Sequence, residues 1–520
     1  MEKKLFILLT IFLYSLGIAQ QLQPDDLEYL GAFRLPDSPG TPDNVGWEWS
    51  NWSSALTYNP NGDPEGLNDG FPGSLVGVGH DHTQYISEIS IPVPVISPEK
   101  DVNDLNTAQT LQEFQNIKGS LFDPMELPRV GLQYLPPQGL QETAKLYFAW
   151  APHLDEGATD PSHGWCELNL SNPQPSGTWR IGEYWNYVTG DYIFSIPQTW
   201  ADANTPGKYL ATGRFRDGGQ GSMGPSIIAY GPWTQGNPPE SGTVLSSTPL
   251  LLYGNVYQEN PQTLNNYHHS DQWSGGVWLT NQDKSAVIFV GTKGKGDCWY
   301  GYADGTQWPN DQNKEGSGER GWWSDSFVGQ FLFYDTEELT AVVQEEKEPW
   351  ELQPYAILNI DDCLYHIESE QQWYHLGAAA CDRERGLLYV MEPLADDYKS
   401  IIHIWQVTSS SSVSKNKQST HLLYRLEQNF PNPFNFETTI AFSLPKRTEV
   451  KLEILDMSGC CINTLISGVK TSGMHKILWD GTDLRGIKVA SGMYLYRLLI
   501  KNPTSGKITF TNIRKMIIIK

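Results

Sequence analysis

The chain has 520 residues, including 19 tryptophans, 48 glycines and 34 prolines, and only 18% of its residues are charged. A chain of this length is too long to fold around a single small hydrophobic core. The aromatic and turn-forming residues are typical of β structure rather than of a helical bundle or a disordered chain. The net charge of −24 argues against a nucleic-acid partner, because phosphate contacts need a surplus of lysine and arginine.

The first 20 residues have the pattern of a signal peptide. Lys3 and Lys4 precede an apolar run over Leu5–Leu16, and Gly17–Ala19 supplies the small residues of a cleavage site. The run is shorter than the roughly 20 residues that a membrane-spanning helix needs, so a permanent anchor is the weaker alternative. Since no later segment is long and apolar enough, we expect no transmembrane segment in the mature chain.

A unit of three or four strands recurs through the body of the chain, residues 22–407. Each instance has a strand, a turn, a more hydrophobic strand ending in polar residues, a loop and a third strand. Such repeats, about 50–80 residues apart, predict an all-β body. We expect a β-propeller of five to seven blades, with two stacked sandwiches as the alternative. The second strands are expected in Ser74–His82, Lys145–His153, Lys208–Asp217, Ala286–Lys295 and Gly386–Glu392.

The repeat assigns three further strands. Leu27–Arg34 is expected to pair with the last unit, Trp299–Tyr302 to be the third strand of the fourth unit, and Phe327–Tyr334 to belong to another blade. Helical periodicity is confined to short stretches near Asp104–Asn116 and Thr336–Glu346.

Polar residues stand at or just beyond the end of each second strand. In a propeller the corresponding strand ends converge on one mouth of the channel, so these residues would share a funnel. The ring would be mostly basic, which favours an anionic ligand because a local cluster focuses electrostatic potential. Alternatively, each is a loop residue with a local partner. The members are His80, His82, His153, Arg214, Arg216, Lys293, Lys295 and Glu392.

The leading hypothesis for this funnel is a polysaccharide lyase acting on a uronic-acid polymer. Elimination needs a cation that neutralises the carboxylate, a base for the proton alpha to it and an acid for the leaving oxygen. The candidates are Arg214 and Arg216 as the cation, His80, His82 and His153 as the base, and Tyr184 and Tyr187 as the acid.

Two other functions are compatible with the same residues. A glycoside hydrolase would use two carboxylates, for which Glu392, Asp217 and Asp81 are the nearest candidates. A non-catalytic carbohydrate-binding or adhesion propeller would stack aromatic faces on sugars. Many tryptophans would instead fill blade interfaces. Further ligand-binding candidates are Lys293, Lys295, Trp299, His268 and His269. The two histidines could equally cap a turn. The tryptophans that could stack on sugars also include Trp47, Trp49, Trp52, Trp185, Trp322 and Trp323.

An oxygen-rich loop is a candidate calcium site. Alternating oxygen ligands in a glycine-bearing loop are typical of calcium sites, although solvated turns share this pattern and the EF-hand spacing is absent. The candidate ligands are Asn59, Asn61, Asp63, Glu65 and Asp69. A zinc site from His80, His82 and either His153 or His163 is a further alternative. Among six cysteines, Cys363 and Cys381 are the first pair to test for a disulfide, with buried thiols as the alternative.

The C-terminal part of the chain is predicted to be a separate unit on a tether. Residues 408–422 are rich in serine and have few apolar side chains to bury, which is typical of a flexible linker. Residues 421–520 carry 14 basic and 7 acidic side chains, a net charge of +7 that leaves −31 for the rest. Strands of alternating hydrophobicity between short turns predict a small Ig-like β-sandwich over 423–520.

Four motifs in this unit occur in a specific order: Gln428–Asn435 with the sequence QNFPNPFN, Val450–Asp456, Trp479–Gly481 and Ala490–Tyr494. In this order they resemble the type A C-terminal sorting domain of the type IX secretion system, found in the Bacteroidetes and related phyla. The usual Gly-Arg is replaced by Gly459 and two cysteines. The resemblance implies Sec export, passage through the outer membrane with the translocon as partner, and an extracellular or outer-membrane-surface location, often with removal of the tail.

The body also resembles a group of exported bacterial propellers without an assigned activity. The resemblance lies in Gly77–Asp81 and Glu88–Pro94, and it implies a propeller fold without implying a reaction. We therefore expect a secreted or cell-surface protein that acts on an anionic polysaccharide or another extracellular glycan, with calcium as the candidate cofactor.

Overall fold

The computed structural model describes two compact units, Met1–Ser410 and Ser411–Lys520, through part of their residues. The described residues are 20–37, 49, 55–64, 66, 71–80, 83–123, 125, 128–155, 157–217, 223–254, 262–281, 283–309, 320–408, 425–426, 429, 431–435, 437–444, 447–457, 459–471, 473–501 and 508–519. Apart from Gln20, the predicted signal peptide lies outside these residues, as does the predicted linker after Thr408.

Two strands at the start of the body, β1 (Gln20–Gln21) and β2 (Leu27–Arg34), join sheets that form much later in the chain. Sheet I follows as four antiparallel strands in sequence order. Its strands are β3 (Leu56–Asn59), β4 (Ser74–Val78), β5 (Ile86–Ser90) and β6 (Thr110–Gln115).

The helix predicted near Asp104–Asn116 is wrong, because β6 occupies most of that segment. Phe114 is buried, with its ring centre 5.1 Å from that of Trp49. The Gln112 side chain donates to Glu88 on β5. These contacts require the segment to pair with β5, so tertiary packing overrides the local helical pattern.

In sheets II and III, as in sheet I, strands that are neighbours in the sheet follow one another along the chain and are antiparallel. One short strand is the exception. That strand, Val244–Leu245, runs parallel to the strand Ser176–Ile181 at the edge of sheet II. Sheet II starts with β7 (Pro128–Leu135), β8 (Lys145–Pro152), β9 (His163–Cys166) and β10 (Ser176–Ile181). Sheet III consists of β11 (Tyr192–Ser195), β12 (Leu210–Gly213), β13 (Met223–Tyr230) and β15 (Ser247–Tyr253). Between these strands, α1 (Gln198–Asn204) follows β11 and β14 (Val244–Leu245) precedes β15.

Sheet IV contains a long hairpin that corrects two strand assignments. Trp299 continues the second strand instead of starting a third, and Phe327–Tyr334 belongs to the third strand of this sheet instead of another blade. The sheet is built from β16 (Gln272–Asn281), β17 (Lys284–Gly301), β18 (Gly321–Tyr334) and β19 (Ala356–Asn359), with β1 pairing parallel to β17.

The helix predicted near Thr336–Glu346 is present as α2 (Thr336–Val343), between β18 and β19. The side chain of Asp335 caps its first turn by accepting a 2.9 Å hydrogen bond from the backbone N–H of Glu337. Leu339 and Val342 are buried, so one apolar face holds this short helix against the body.

Sheet V is completed by the N-terminal strand. β20 (Ala379–Asp382), β21 (Leu387–Asp396) and β22 (Lys399–Val407) are consecutive antiparallel strands. β2 pairs antiparallel with β22, with Ala32 opposite His403. The pairing expected between Leu27–Arg34 and the last unit is therefore observed.

The first strands of the five sheets, β3, β7, β11, β16 and β20, lie against one another in that order, and β20 also contacts β3. The hydrophobic cores lie between consecutive sheets. Gly275 permits one close approach, because a Cβ atom there would lie 2.5 Å from the backbone nitrogen of Ala379. The space enclosed by the first strands measures about 10 Å³, room for about one water molecule.

The second unit is a sandwich of two sheets. Phe442, Leu452, Trp479 and Leu498 lie in the core between them. One sheet contains β23 (Arg425–Leu426), β24 (Thr438–Leu444) and β27 (Gly473–Trp479), and the other contains β25 (Thr448–Leu455), β26 (Cys461–Lys470), β28 (Gly492–Lys501) and β29 (Ile508–Ile518).

No helix in the described part of the chain is long and apolar enough to cross a membrane. Cys363 and Cys381, the first pair to test for a disulfide, are both free thiols, as in the alternative. Burial raises the pKa of Cys363 to about 12 and that of Cys381 to about 11. Both thiols are therefore protonated and unreactive at neutral pH.

Candidate functional site

Three arginines surround one phenylalanine beside the ends of β7 and β12. Arg129 lies on β7, and Arg214 and Arg216 follow the end of β12. Their guanidinium carbons lie 4.1, 5.0 and 4.9 Å, respectively, from the ring centre of the buried Phe215. We refer to Arg129, Arg214 and Arg216 as the arginine cluster.

Arg214 is fully buried, and both of its terminal nitrogens already donate to protein acceptors. Its Nη1 donates to the carbonyl oxygens of His153 at 2.8 Å and Tyr187 at 3.3 Å, and lies 3.2 Å from Asp191 Oδ2. Its Nη2 donates to the carbonyl oxygen of Asp217 at 3.1 Å. The role expected for Arg214, neutralising a substrate carboxylate, does not fit this geometry. It holds loops of sheets II and III together.

Arg129 and Arg216 are the accessible members of the cluster. Arg129 Nε lies 3.3 Å from Asp191 Oδ1, so one carboxylate serves both Arg129 and Arg214. No carboxylate among the described residues forms an ion pair with the half-buried Arg216. Burial, followed by the nearby Arg214, lowers the pKa of Arg216 to about 10. Arg216 stays charged at neutral pH, and the site has an excess of positive charge.

A histidine–carboxylate pair lies next to the arginine cluster. His269 Nδ1 is 2.8 Å from Oδ2 of Asp217, the residue that follows Arg216. The His269 ring stacks on Trp322 with ring centres 4.2 Å apart. A carboxylate at Nδ1 favours a proton there and leaves Nε2 as the basic nitrogen. The pair therefore has the arrangement that a general base needs.

The other histidine and the two lysines predicted for the funnel differ in exposure. Lys293 Nζ lies 2.9 Å from both carboxylate oxygens of the fully buried Asp271. Burial lowers the pKa of Lys293 and raises that of Asp271, so this pair is structural. His268 contacts Ser324 Oγ at 3.1 Å, and burial lowers the pKa of His268. Lys295 is exposed. The turn at His268–Asp271 is capped by the Asp271 carboxylate, which accepts a hydrogen bond from the backbone N–H of His268.

Glu392 lies in a buried network, outside any accessible site. Its carboxylate accepts from the backbone N–H groups of Tyr365 and His366 and lies 2.7 Å from His403 Nε2. His403 Nδ1 lies 2.8 Å from the Tyr29 hydroxyl on β2. The network links β2, β21 and β22 within sheet V, so a catalytic role for Glu392, which is 1% exposed, does not fit the structure.

The candidate bases and acids of the lyase hypothesis occupy several environments. His80 is half-buried just after β4, and His153 is half-buried just after β8. Tyr187 is fully buried, with the Arg214 guanidinium 4.9 Å from its ring centre, so it cannot reach a substrate. Tyr184 is half-buried, and burial raises its pKa. His82 and Asp81 lie outside the described residues.

The oxygen-rich loop is only partly described. Asn59 is buried, its amide donates to Glu88 Oε1 at 2.9 Å, and its Oδ1 accepts from the backbone N–H of Asn61. Asp63 is half-buried, while Glu65 and Asp69 lie outside the described residues. Calcium binding by this loop stays a prediction. Among the described residues, no group of three His, Cys, Asp or Glu side chains could hold a metal ion.

The tryptophans divide between core and surface positions. Trp49 is buried, and Trp47 and Trp52 lie outside the described residues. Trp185 is half-buried, packed against the core beside Tyr187. Trp299, Trp322 and Trp323 lie on the long β17–β18 hairpin, where Trp299 is opposite Trp323.

Sequence reasoning missed Arg129, Asp191 and Tyr374. It considered only the ends of second strands, whereas antiparallel pairing brings the starts of first strands to the same edge: Arg129 is opposite Ala151, and Tyr192 is opposite Gly213. The half-buried Tyr374 interacts electrostatically with Arg129 and Arg216. Applied to the sequence, the antiparallel pairing of first and second strands could have identified Arg129 and Asp191 as candidates.

Comparison with known proteins identifies only the second unit. The sequence model of the FlgD Ig-like domain family matches residues 434–501, so the C-terminal unit contains an Ig-like domain. This match covers a small part of the chain. No curated protein matches the chain.

Several solved structures share a distant similarity. The extracellular domain of a hybrid two component system from B. thetaiotaomicron is 9% identical, with a TM-score of 0.27, over 95% of this chain and 59% of that one. A fungal alcohol oxidase of the AA5 family, in complex with copper, is 10% identical, with a TM-score of 0.26, over 96% and 97%. Dimeric latent PorU from Porphyromonas gingivalis is 11% identical, with a TM-score of 0.18, over 81% and 36%.

Proposed function

We propose that residues 22–407 form a five-bladed β-propeller. Support comes from five sheets of four or five strands, from first strands that contact one another in a closed order, and from cores between consecutive sheets. In such a fold the arginine cluster lies at the end of the central axis where the first strands begin.

The route of export is the second part of the proposal. The signal-peptide pattern at 1–20 and the motif order in 423–520 support Sec export followed by type IX secretion. The Ig-like match over 434–501 supports the sandwich that a sorting domain of this kind requires. The protein is then extracellular or displayed at the outer-membrane surface, with the translocon as partner and residues 408–422 as the linker.

The proposed function of the body is binding of an anionic polysaccharide at the arginine cluster. The observation that carries this proposal is the charge imbalance: Arg129 and Arg214 share the single carboxylate of Asp191, and no described carboxylate forms an ion pair with Arg216. In the described part of the chain, Arg216 forms no ion pair and Arg129 pairs with Asp191 through Nε. Their remaining guanidinium N–H groups suit a uronic-acid carboxylate, because guanidinium groups bind carboxylates in a two-pronged geometry. The aromatic rings of Tyr374 and Trp322 border the cluster and are suited to sugar faces.

Binding of a uronic-acid oligosaccharide, compared with a neutral glucan oligosaccharide, tests this function by calorimetry. Arg216→Ala should weaken binding of the uronic-acid ligand by at least about tenfold, because a hydrogen bond to a charged group contributes about 1.5–3 kcal/mol. Binding should also weaken as salt concentration rises.

Arg385→Ala provides a matched control, since Arg385 pairs with Asp382 at 2.9 Å beyond the opposite ends of the first strands. The control should bind like the unsubstituted protein. Equal binding of the neutral and acidic ligands, or unchanged affinity in Arg216→Ala, contradicts the proposal.

A polysaccharide lyase is the second candidate, favoured by the Asp217–His269 pair. In this reaction Arg216 neutralises the uronic carboxylate, and His269 Nε2 removes the proton alpha to it. As the C–O bond breaks and a C=C bond forms in the sugar, the leaving oxygen takes a proton from water. Unsaturated products absorb ultraviolet light, so their rate of appearance tests catalysis. His269→Gln should abolish turnover with little change in affinity, whereas a binding protein yields no such product.

A further inference from the structure

A cavity of about 240 Å³ lies at the ends of the first strands opposite to the arginine cluster. All five first strands contribute to its lining, which includes Thr57, Gln133, Ser195, Val277 and Ala380. Pockets for drug-sized molecules measure roughly 300–1,000 Å³, so this cavity suits a smaller ligand. The nearly filled space of about 10 Å³ between the first strands separates the two ends of the body.

Arg383 is the cation of this cavity. Its Nε donates to the carbonyl oxygen of Trp278 at 2.7 Å, and its Nη2 donates to the carbonyl oxygen of Ser195. These bonds fix the guanidinium group against the ends of β11 and β16. Arginine has five N–H donors, so three of them are not used by the bonds to these two carbonyls.

No described carboxylate forms an ion pair with Arg383. Asp382 is occupied, because it pairs with Arg385 at 2.9 Å and accepts from the backbone N–H of Glu384. Glu384 also lines the cavity, but it is exposed, so water screens its charge. A half-buried cation that is held only by carbonyl oxygens lacks the counter-charge that such a group needs.

We propose that the cavity binds a small organic carboxylate, with Arg383 as the residue that holds the carboxylate group. The amide of Gln133 and the hydroxyl of Ser195 line the same cavity and offer hydrogen bonds to polar substituents of the ligand. Two kinds of small carboxylate fit this chemistry: a hydroxylated sugar acid, and an amino acid whose ammonium group faces Glu384. This site is separate from the arginine cluster and does not depend on its function.

Calorimetry of the full chain with three probes tests the proposal: glucuronate, glutamine and glucose. Saturable binding of glucuronate or glutamine, without binding of glucose, is the expected result, and the responding probe identifies the ligand as a sugar acid or an amino acid. Arg383→Gln should weaken that binding by at least about tenfold. Absence of binding by both carboxylates, or equal binding of glucose, overturns the proposal.

Two further variants keep the test decisive. Gln133→Glu adds a carboxylate to the cavity without shortening the side chain, so it should also weaken binding by at least about tenfold if Arg383→Gln fails to fold. Arg485→Ala removes an exposed arginine of the second unit, which pairs with Asp483 at 2.9 Å, and should bind the small carboxylate normally. Loss of binding in Arg216→Ala, with retention in Gln133→Glu, assigns the carboxylate to the arginine cluster and overturns the cavity proposal. Failure of polysaccharide binding leaves this result unaffected.

Discussion

Arg214 and Arg216 are two residues apart and have opposite environments. Arg214 is fully buried, and its Nη1 and Nη2 donate to carbonyl oxygens and Asp191, whereas Arg216 is half-buried without a described ion-pair partner. The sequence Arg-Phe-Arg after a hydrophobic strand indicated a basic strand end. It could not indicate which arginine is structural, because that depends on Asp191 and on carbonyl groups from other loops.

His163 is a second residue whose environment the sequence did not reveal. It was an alternative zinc ligand, but it is 1% exposed and its ring packs 5.3 Å from that of Tyr230. Burial lowers its pKa from 6.5 to about 3. The folded protein therefore keeps a neutral imidazole where the unfolded chain would bind a proton.

This pKa shift predicts a pH-dependent loss of stability. Between pH 6 and 4 the unfolded state takes up the His163 proton and the folded state does not, so stability falls as pH falls, by up to about 1.4 kcal/mol per pH unit from this residue. His163→Gln should show a shallower dependence. Urea unfolding of both proteins across this range measures the difference, and parallel curves would contradict the prediction.

At the scale of elements, the sequence predicts short strands in which apolar and polar residues alternate. It predicts only some of the pairings between strands that are distant along the chain. Sheets I, II, III and V contain the expected strands, and β2 pairs with β22. The β17–β18 hairpin was misassigned, because Trp299 follows a turn-like sequence containing Gly294 and Gly296 that the structure accommodates within one strand as a register shift. A bulge and a turn share the same residue types.

The close contact of β16 with β20 gives a testable consequence. Gly275→Ala should destabilise the body by about 1–3 kcal/mol, because the added Cβ meets the backbone of Ala379 at 2.5 Å and neither strand can retreat without disturbing its sheet. Thr280→Val, at a half-buried position on the same strand, should change stability by less. The free energies of unfolding in urea provide the comparison, and an unchanged value for Gly275→Ala would refute this account of the first-strand contacts.

The whole molecule consists of two compact units with charges of opposite sign. Residues 421–520 have a net charge of +7 and the rest of the chain −31. The division into units, the Ig-like sandwich and the order of the body strands follow from periodicity and turns that a sequence displays. The partners of Arg129 and the cavity around Arg383 do not, because they depend on side chains from several sheets.

Two units with separate cores predict two unfolding transitions. Calorimetric heating of the full chain should resolve them, and a chain ending at Thr408 should retain the transition of the body within a few degrees, because its core residues are all present. A single transition, or a body that unfolds far earlier without the second unit, would show that the two depend on each other.

The pairing of β2 with β22 also has a consequence for biogenesis. Leu27 is opposite Val407, so β2 emerges during synthesis long before its partner strand β22. Until then β2 presents an unpaired edge, which delays closure because distant contacts form slowly. A body truncated anywhere before β22 cannot hide that edge. The pairing therefore makes closure of the body depend on synthesis of its last strand, and a truncated chain leaves β2 exposed.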